Sequence, residues 1–365
     1  MSKTLIDLFS QKLITWHARH GRSGLPWQGK RDAYAVWVSE IMLQQTQVAT
    51  VLERYRRFMK RFPTVKKLAA AHIDEVLAEW AGLGYYSRAR NLHACAQQVV
   101  NEFGGYFPSD PDSLEKLKGI GRSTAGAIAA FAFHVRAPIL DANVKRVLAR
   151  LFAIEGALQN KLVNDGLWSL AEKLLPKKPS DMPMYTQALM DFGATWCTSR
   201  KPVCLSNEKK CPFEKDCQAN LSNQVLLFPQ KTVKAKSPEF DCDMLLIRSG
   251  NLILLQKRPS KAIWGGLWSL PESAWVAKSD KKRKLPPFKN LFDSPSYDKF
   301  LTKNYQEISA QFATTYPAYR QLFELYSDVK GAINTSQHSR IVIQIDSIHR
   351  LHGKTDLLVL AEIES

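Results

Sequence analysis

The sequence is short of acid. Its 365 residues hold 34 Asp and Glu against 51 Lys and Arg, a formal net charge of +17. An acidic, self-solvating chain is excluded, and a polyanion is the expected partner. No apolar run is long enough to span a bilayer, so no membrane partner is expected. The first 20 residues read as an amphipathic helix of mixed charge and not as a targeting peptide, so the expected location is the cytoplasm, with the nucleoid. There is no internal repeat, no long low-complexity tract and no C-x2-C pair of the kind that builds zinc knuckles.

What is present fits two cores better than one, with 45% hydrophobic residues spread over a chain too long for one ordinary domain. Residues 1–224 carry 31 basic residues against 20 acidic, and the remainder 20 against 14, so both halves could touch the polyanion. From Leu5 to about Ala194 the apolar spacing is helical, as in Val48, Val51, Leu52, Tyr55, Phe58 or Val144, Val147, Leu148, Leu151. After Cys217 the pattern changes. The stretch 222–238 reads as a linker, and beyond it come strand-like runs at 244–247, 252–255, 341–345 and 357–360 separated by helical stretches. The expected organisation is an all-helical domain over 1–221, a linker over 222–238 and an α+β domain over 239–365, with the chain acting as a monomer. The basic run 281–284 reads as a solvated loop.

The densest chemistry lies in 117–150, which carries six basic residues against one acid, Asp141. Gly119 and Gly121 lie between a short helix expected at 113–116 and a longer one at 123–133. Two glycines permit positive φ and close approach, and the amides opening the second helix are free to hold a phosphate without reading sequence. An ordinary helix–helix turn would look the same. Asp141 precedes an apolar-periodic helix, where taken alone it is an N-cap worth ~1 kcal/mol. Glu40, among apolar neighbours in 36–48, taken alone is a solvated helix residue; in an apolar setting its pKa would rise. Cys197, Cys204, Cys211 and Cys217 fall within 21 residues and suit zinc or an iron–sulfur cluster. Cys95 and Cys242 read as packed thiols.

These stretches resemble the helix-hairpin-helix base-excision DNA glycosylases, and within them the MutY-type adenine glycosylases. LDANVKRV is similar to the family's LDGNVKRV, and SEIMLQQTQV matches its signature in all but one conservative position. The resemblance implies that Glu40 is the general acid and water activator, that Asp141 stabilises the sugar cation or attacks it, and that Asn143 orients the site. It implies that Gln45 and Tyr85 wedge into the DNA, that Trp27, Leu43 and Gln187 line an adenine pocket, and that Gly119, Gly121 and Ser123 grip the backbone; Trp27 and Tyr85 could equally be core aromatics. It also implies a structural 4Fe-4S cluster on the four cysteines, presenting Arg200 and Lys201 to phosphates. The expected partner is then double-stranded DNA carrying A:8-oxoguanine or A:G mispairs.

Three departures from the family pattern qualify the resemblance. Strand-cutting relatives carry a lysine two residues past the hairpin's second glycine, where this chain has Ser123, which cannot form an imine. A monofunctional enzyme is expected. The middle cysteine gap is four residues longer than the family's, and an outward bulge there would leave ligation intact. In the second domain, WGGLWSLP resembles a Nudix-like domain whose paired catalytic glutamates are absent after Pro271, expected to read the base opposite adenine. The equivalent of the family's Phe-Ser-His loop is Ser336, Gln337 and His338, with only the histidine kept. Two other readings stay open: a pyrimidine-lesion glycosylase or lyase of the same fold, disfavoured by Ser123 and Glu40, and a catalytically idle mismatch-binding protein.

Overall fold

The computed structural model describes residues 3–29, 31–206 and 210–230, together with short stretches at 240–241, 248–249, 252–259, 265–269, 276–277, 332–333, 351–352 and 358–362. The chain divides into two compact units, Met1–Val233 and Lys234–Ser365.

The first unit is helical. Its helices are α1 (Lys3–His20), α2 (Ala33–Leu43), α3 (Val48–Arg61), α4 (Val65–Ala70), α5 (Ile73–Glu79), α6 (Ser87–Phe103), α7 (Pro111–Glu115), α8 (Arg122–Phe133), α9 (Ala142–Leu151), α10 (Lys161–Lys173), α11 (Met182–Asp191) and α12 (Gln218–Leu221). Side-chain caps set several of the starts. Asp32 accepts from Tyr34 N, Thr64 from Lys67 N, Asp110 from Ser113 N and Asp141 from Val144 N. The hairpin helices begin one or two residues before their expected starts, because Asp110 and Gly121 supply the caps.

α1 carries Leu5, Phe9, Leu13 and Trp16 on one buried stripe. Phe9 stacks on Phe213 of the cysteine loop with ring centres 5.2 Å apart, and Trp16 meets Phe192 and Trp196 edge-on. α1 thus shares one core with α9, α10, α11 and the cysteine loop. Lys12 pairs with Asp216 at 2.6 Å over that junction. Residues 222–230, within the stretch read as linker, contribute to the same unit: Val225 and Phe228 are buried against Ala219, and the Phe228 carbonyl accepts from Arg150 at 3.0 Å.

In the second unit the described strands are β1 (Phe240–Asp241), β2 (Arg248–Ser249), β3 (Leu252–Lys257), β4 (Trp268–Ser269), β5 (Val276–Ala277), β6 (Ala332–Ile333), β7 (Leu351–His352) and β8 (Leu358–Glu362). β3 pairs antiparallel with β8 in the register Leu254 to Leu360, and β2 pairs with β3 in the register Ser249 to Leu252. Gln337, His338, the 281–284 run, the 341–345 run and Cys242 lie outside the described residues. No helix among the described residues is long and apolar enough to cross a membrane.

One close approach sets where α9 begins. A Cβ on Gly126, in the middle of α8, would stand 2.3 Å from the Pro138 carbonyl oxygen. The segment leading to Asp141 therefore lies directly on α8. Gly126→Ala gains ~0.5–1 kcal/mol of helix propensity, but forcing backbone apart in a packed core costs ~1–3 kcal/mol, so a net loss is expected. Melting curves check this; an alanine variant at least as stable as wild type would show that the approach is not needed.

Candidate active site

Three helix ends converge. The C-terminal end of α2, the hairpin that opens α8 and the start of α9 are joined by two side-chain bonds: Gln44 Nε2 donates to Thr124 Oγ1 at 3.4 Å, and Leu140 N donates to Ser123 Oγ at 3.0 Å. Ser123 thus fixes the residue before Asp141.

Glu40 projects from the last turns of α2. Although the residue as a whole is only half-buried, its carboxyl is enclosed. Burial, aided by the nearby negative charge of Asp141, pushes its pKa up to about 8. The acid is therefore protonated at neutral pH. Asp141 caps α9 through a 2.7 Å bond from Val144 N. Asn143, two residues on, accepts from Arg146 at 2.9 Å, and Arg146 also donates to the carbonyls of Gly193 (2.7 Å) and Cys197 (2.9 Å). A Cβ on Gly193 would meet that of Asn143 at 2.8 Å, so the π-helical turn Phe192–Trp196 presses on the start of α9.

The hairpin has the expected form. Gly119 sits at φ +78, where a side chain would be strained and would also run into Asn91, while Gly121 is extended and caps α8. Gln98 accepts from Lys118 N at 3.1 Å and steadies the turn. The guanidinium of Arg122, an exposed residue, stacks 4.1 Å from the Trp168 ring.

Gln45 and Tyr85 are exposed, and both adopt positive φ, +55 and +47. Leu43 is half-buried at the end of α2. Trp27 is buried and packs edge-on against Tyr55, ring centres 5.2 Å apart, so its place is in the core. Gln187 is half-buried on α11, and its amide donates to Asp191 at 2.9 Å. Asp191, fully buried, also accepts from His17 and from three nitrogens of Arg22. Burial works against its charge, but these donors outweigh it and keep the carboxyl below the ordinary range.

Two charged hubs escaped sequence reading. One is Asp191, an acid four residues after Gln187 in an otherwise apolar run. The other is Arg88, whose guanidinium donates to the carbonyls of Ile41, Met42, Gln44, Leu83 and Gly84 and to the Thr46 hydroxyl. The one available signal was a basic residue beside the apolar face of α6 that begins at Ala89.

All four cysteines of the cluster are free thiols lining one cavity of about 30 Å³. Among the described residues no three donors come close enough to hold a single metal ion. Burial pushes Cys211 up to about 12 and Cys217 up to about 11, and the neighbouring thiols add to both. Arg150, 2% exposed, points its guanidinium at the loop and donates to Cys197 Sγ at 3.4 Å and to the Thr198 and Ser199 carbonyls. Leu205, Ser206 and Lys210, in the longer middle gap, are exposed, and Arg200 and Lys201 stand exposed on the preceding loop.

Comparison with known proteins matches this architecture. A family model described as HhH-GPD superfamily base excision DNA repair protein covers residues 38–173. The adenine DNA glycosylase of Buchnera aphidicola subsp. Acyrthosiphon pisum is 36% identical over 289 residues, 78% of this chain and 81% of the relative. That of Homo sapiens is 37% identical over 334 residues, 76% of this chain and 60% of the relative. Among solved structures, a thermostable thymine-DNA glycosylase superposes with a TM-score of 0.54 at 30% identity, covering 60% of this chain and 99% of its own. The chain belongs to the adenine DNA glycosylases, within the HhH-GPD superfamily of base excision DNA repair proteins.

Proposed function

We propose that the protein hydrolyses the N-glycosidic bond of adenine mispaired with 8-oxoguanine or guanine in double-stranded DNA, and that it does so as a monomer without cutting the strand. The observation that carries this reading is the pairing of a neutral Glu40 with the nearby Asp141 charge at the meeting of α2, α8 and α9. Breaking the bond needs a proton on the departing base and an anion beside the sugar cation. General acid catalysis supplies ~10²–10⁴ in rate. A carboxylate about 4 Å from a developing cation adds up to ~4 kcal/mol at an effective dielectric near 20. Neither suffices alone, so Glu40 delivers the proton and activates water while Asp141 faces the cation. Asn143, fixed by Arg146, orients the pair.

The hairpin amides at Gly119, Gly121 and Ser123 grip the DNA backbone. Gln45 and Tyr85 enter the duplex, and Leu43 and Gln187 face the extruded adenine, with Trp27 backing the pocket from the core. Because Asp191 can only accept, the Gln187 Oε1 is left as an acceptor suited to the adenine amino group.

The four thiols suit a 4Fe-4S cluster better than one zinc ion. They line one cavity yet do not converge on a single point, and burial raises Cys204, Cys211 and Cys217, so deprotonating those three side by side calls for cationic charge between them. Cys197, Cys204, Cys211 and Cys217 would hold the cluster, with Arg150 beside it and Arg200 and Lys201 presented to phosphates. When bound, it supplies cross-linking of the loop. The second unit, following a linker, takes the opposite base as a Nudix-like domain, with Gln337 and His338 as its reading residues.

Single-turnover assays on duplexes carrying adenine opposite 8-oxoguanine, guanine, cytosine and thymine test the substrate. Release opposite the first two and little opposite the others is expected, with Glu40→Gln losing ~10²-fold or more; equal rates on all four would overturn the mispair reading. The same rate has a pH signature. Glu40 acts when protonated, so from neutral pH upward the rate stays level until an alkaline limb at about 8; a rate that holds level to roughly 1.5 pH units above that limb would remove Glu40 as the acid. Borohydride added during turnover should trap no covalent protein–DNA adduct, since Ser123 forms no imine; efficient trapping would mean that another amine attacks the sugar.

A further inference from the structure

Arg88, the second residue of α6, is enclosed by the two segments that carry the exposed Gln45 and Tyr85. One of its terminal nitrogens donates to the carbonyls of Ile41 at 2.8 Å, Met42 at 3.1 Å and Gln44. The other donates to Thr46 Oγ1 at 3.1 Å, Leu83 O at 3.0 Å and Gly84 O at 3.3 Å. The first set includes carbonyls of the last turn of α2, which no backbone amide of that helix can satisfy. The second set reaches the turn before Tyr85. The guanidinium also lies 5.6 Å from the Tyr85 ring centre and 5.4 Å from that of Trp80, while Trp80 Nε1 holds the Gly84 carbonyl at 3.1 Å. Its Nε has no partner among the described residues, so the geometry serves the two terminal nitrogens.

Both segments are strained at the residue that points outward. Gln45 and Tyr85 have left-handed backbones, and neither is a glycine. Tyr85 is 48% exposed, so no gain in core packing offsets that strain. A strained, exposed residue persists only where its surroundings over-determine it. Here a single planar fork ties down both segments, which a lysine's one nitrogen cannot span.

We infer that Arg88 is a positioning residue for base extrusion, holding Gln45 and Tyr85 together in the pose from which they enter the DNA. This rests on the reading of those two side chains as the wedging pair. Removing the fork releases both turns to ordinary φ and turns both side chains away, without touching Glu40 or Asp141.

The test uses the full-length protein and a duplex carrying 2-aminopurine opposite 8-oxoguanine, whose fluorescence rises when the base leaves the stack. Arg88→Lys should reduce that rise and slow adenine release about tenfold or more, the equivalent of losing one or two strained positions. The alkaline limb of the pH–rate profile should stay in place, because the acid is untouched. Added to the Gln45→Ala/Tyr85→Ala double variant, Arg88→Lys should cost little further. If its loss instead multiplies with theirs, or if it leaves the fluorescence intact while the double variant abolishes it, the positioning role is wrong. If the double variant itself extrudes the base normally, the wedge reading fails and takes the inference with it. Should Arg88→Lys fold poorly, Thr46→Val removes one acceptor of the fork. An unchanged melting temperature with extrusion reduced several-fold is then expected, and no reduction would count against the inference.

Discussion

Arg150 is 2% exposed, and among the described residues its hydrogen bonds go to carbonyl oxygens and one thiol sulfur, with no carboxylate in reach. A buried cation is tolerated only if its donors are used, and here they draw in the Cys197–Ser199 turn and the Phe228 carbonyl. One turn earlier on α9, Arg146 does the same with Cys197, Gly193 and Asn143. The helix that begins at Asp141 is therefore bolted along one face to the cysteine loop. Gly193 and Gly126 let the neighbouring backbones close in on its N-terminal end. The carboxylate at its start inherits that rigidity, which a residue meant to face a transient cation within a few tenths of an ångström requires.

The helical unit was largely legible because its signals are local. The spacing of Val144, Val147, Leu148 and Leu151 fixed α9, and the glycines at 119 and 121 fixed the hairpin. Asp141 is both the N-cap that its position suggested and a neighbour of Glu40. What escaped was long-range charge pairing. Arg88 reaches back more than 40 residues to the end of α2, and Asp191 reaches 169 residues to Arg22. Periodicity is blind to such partners. Positive φ at Gln45 and Tyr85 is equally silent, since neither residue type advertises a left-handed backbone. Trp27 is silent in another way: nothing in its place near a loop edge told that its ring would be buried against Tyr55. In the second unit, the apolar runs at 252–255 and 357–360 located β3 and β8, while their register came from pairing that one strand cannot encode.

The two carboxylates are coupled through their electrostatics. Before reaction, the charge on Asp141 helps keep the proton on Glu40. On the proposed reading, bond cleavage places positive charge on the sugar beside Asp141. The pair then presents little net field to Glu40, and the repulsion that had held its proton weakens as the bond stretches. Glu40 becomes a stronger acid at the moment the leaving base becomes a stronger base. An isolated buried glutamate would lack this. Burial alone raises its pKa equally before and during cleavage, so the proton would be kept when it should be given. The same coupling argues against moving either group independently: a displaced Asp141 both exposes the cation and removes one of the two influences that hold the Glu40 proton, the larger being burial. The dense bracing of α9, and of the segment before it through Ser123, is what that sensitivity demands.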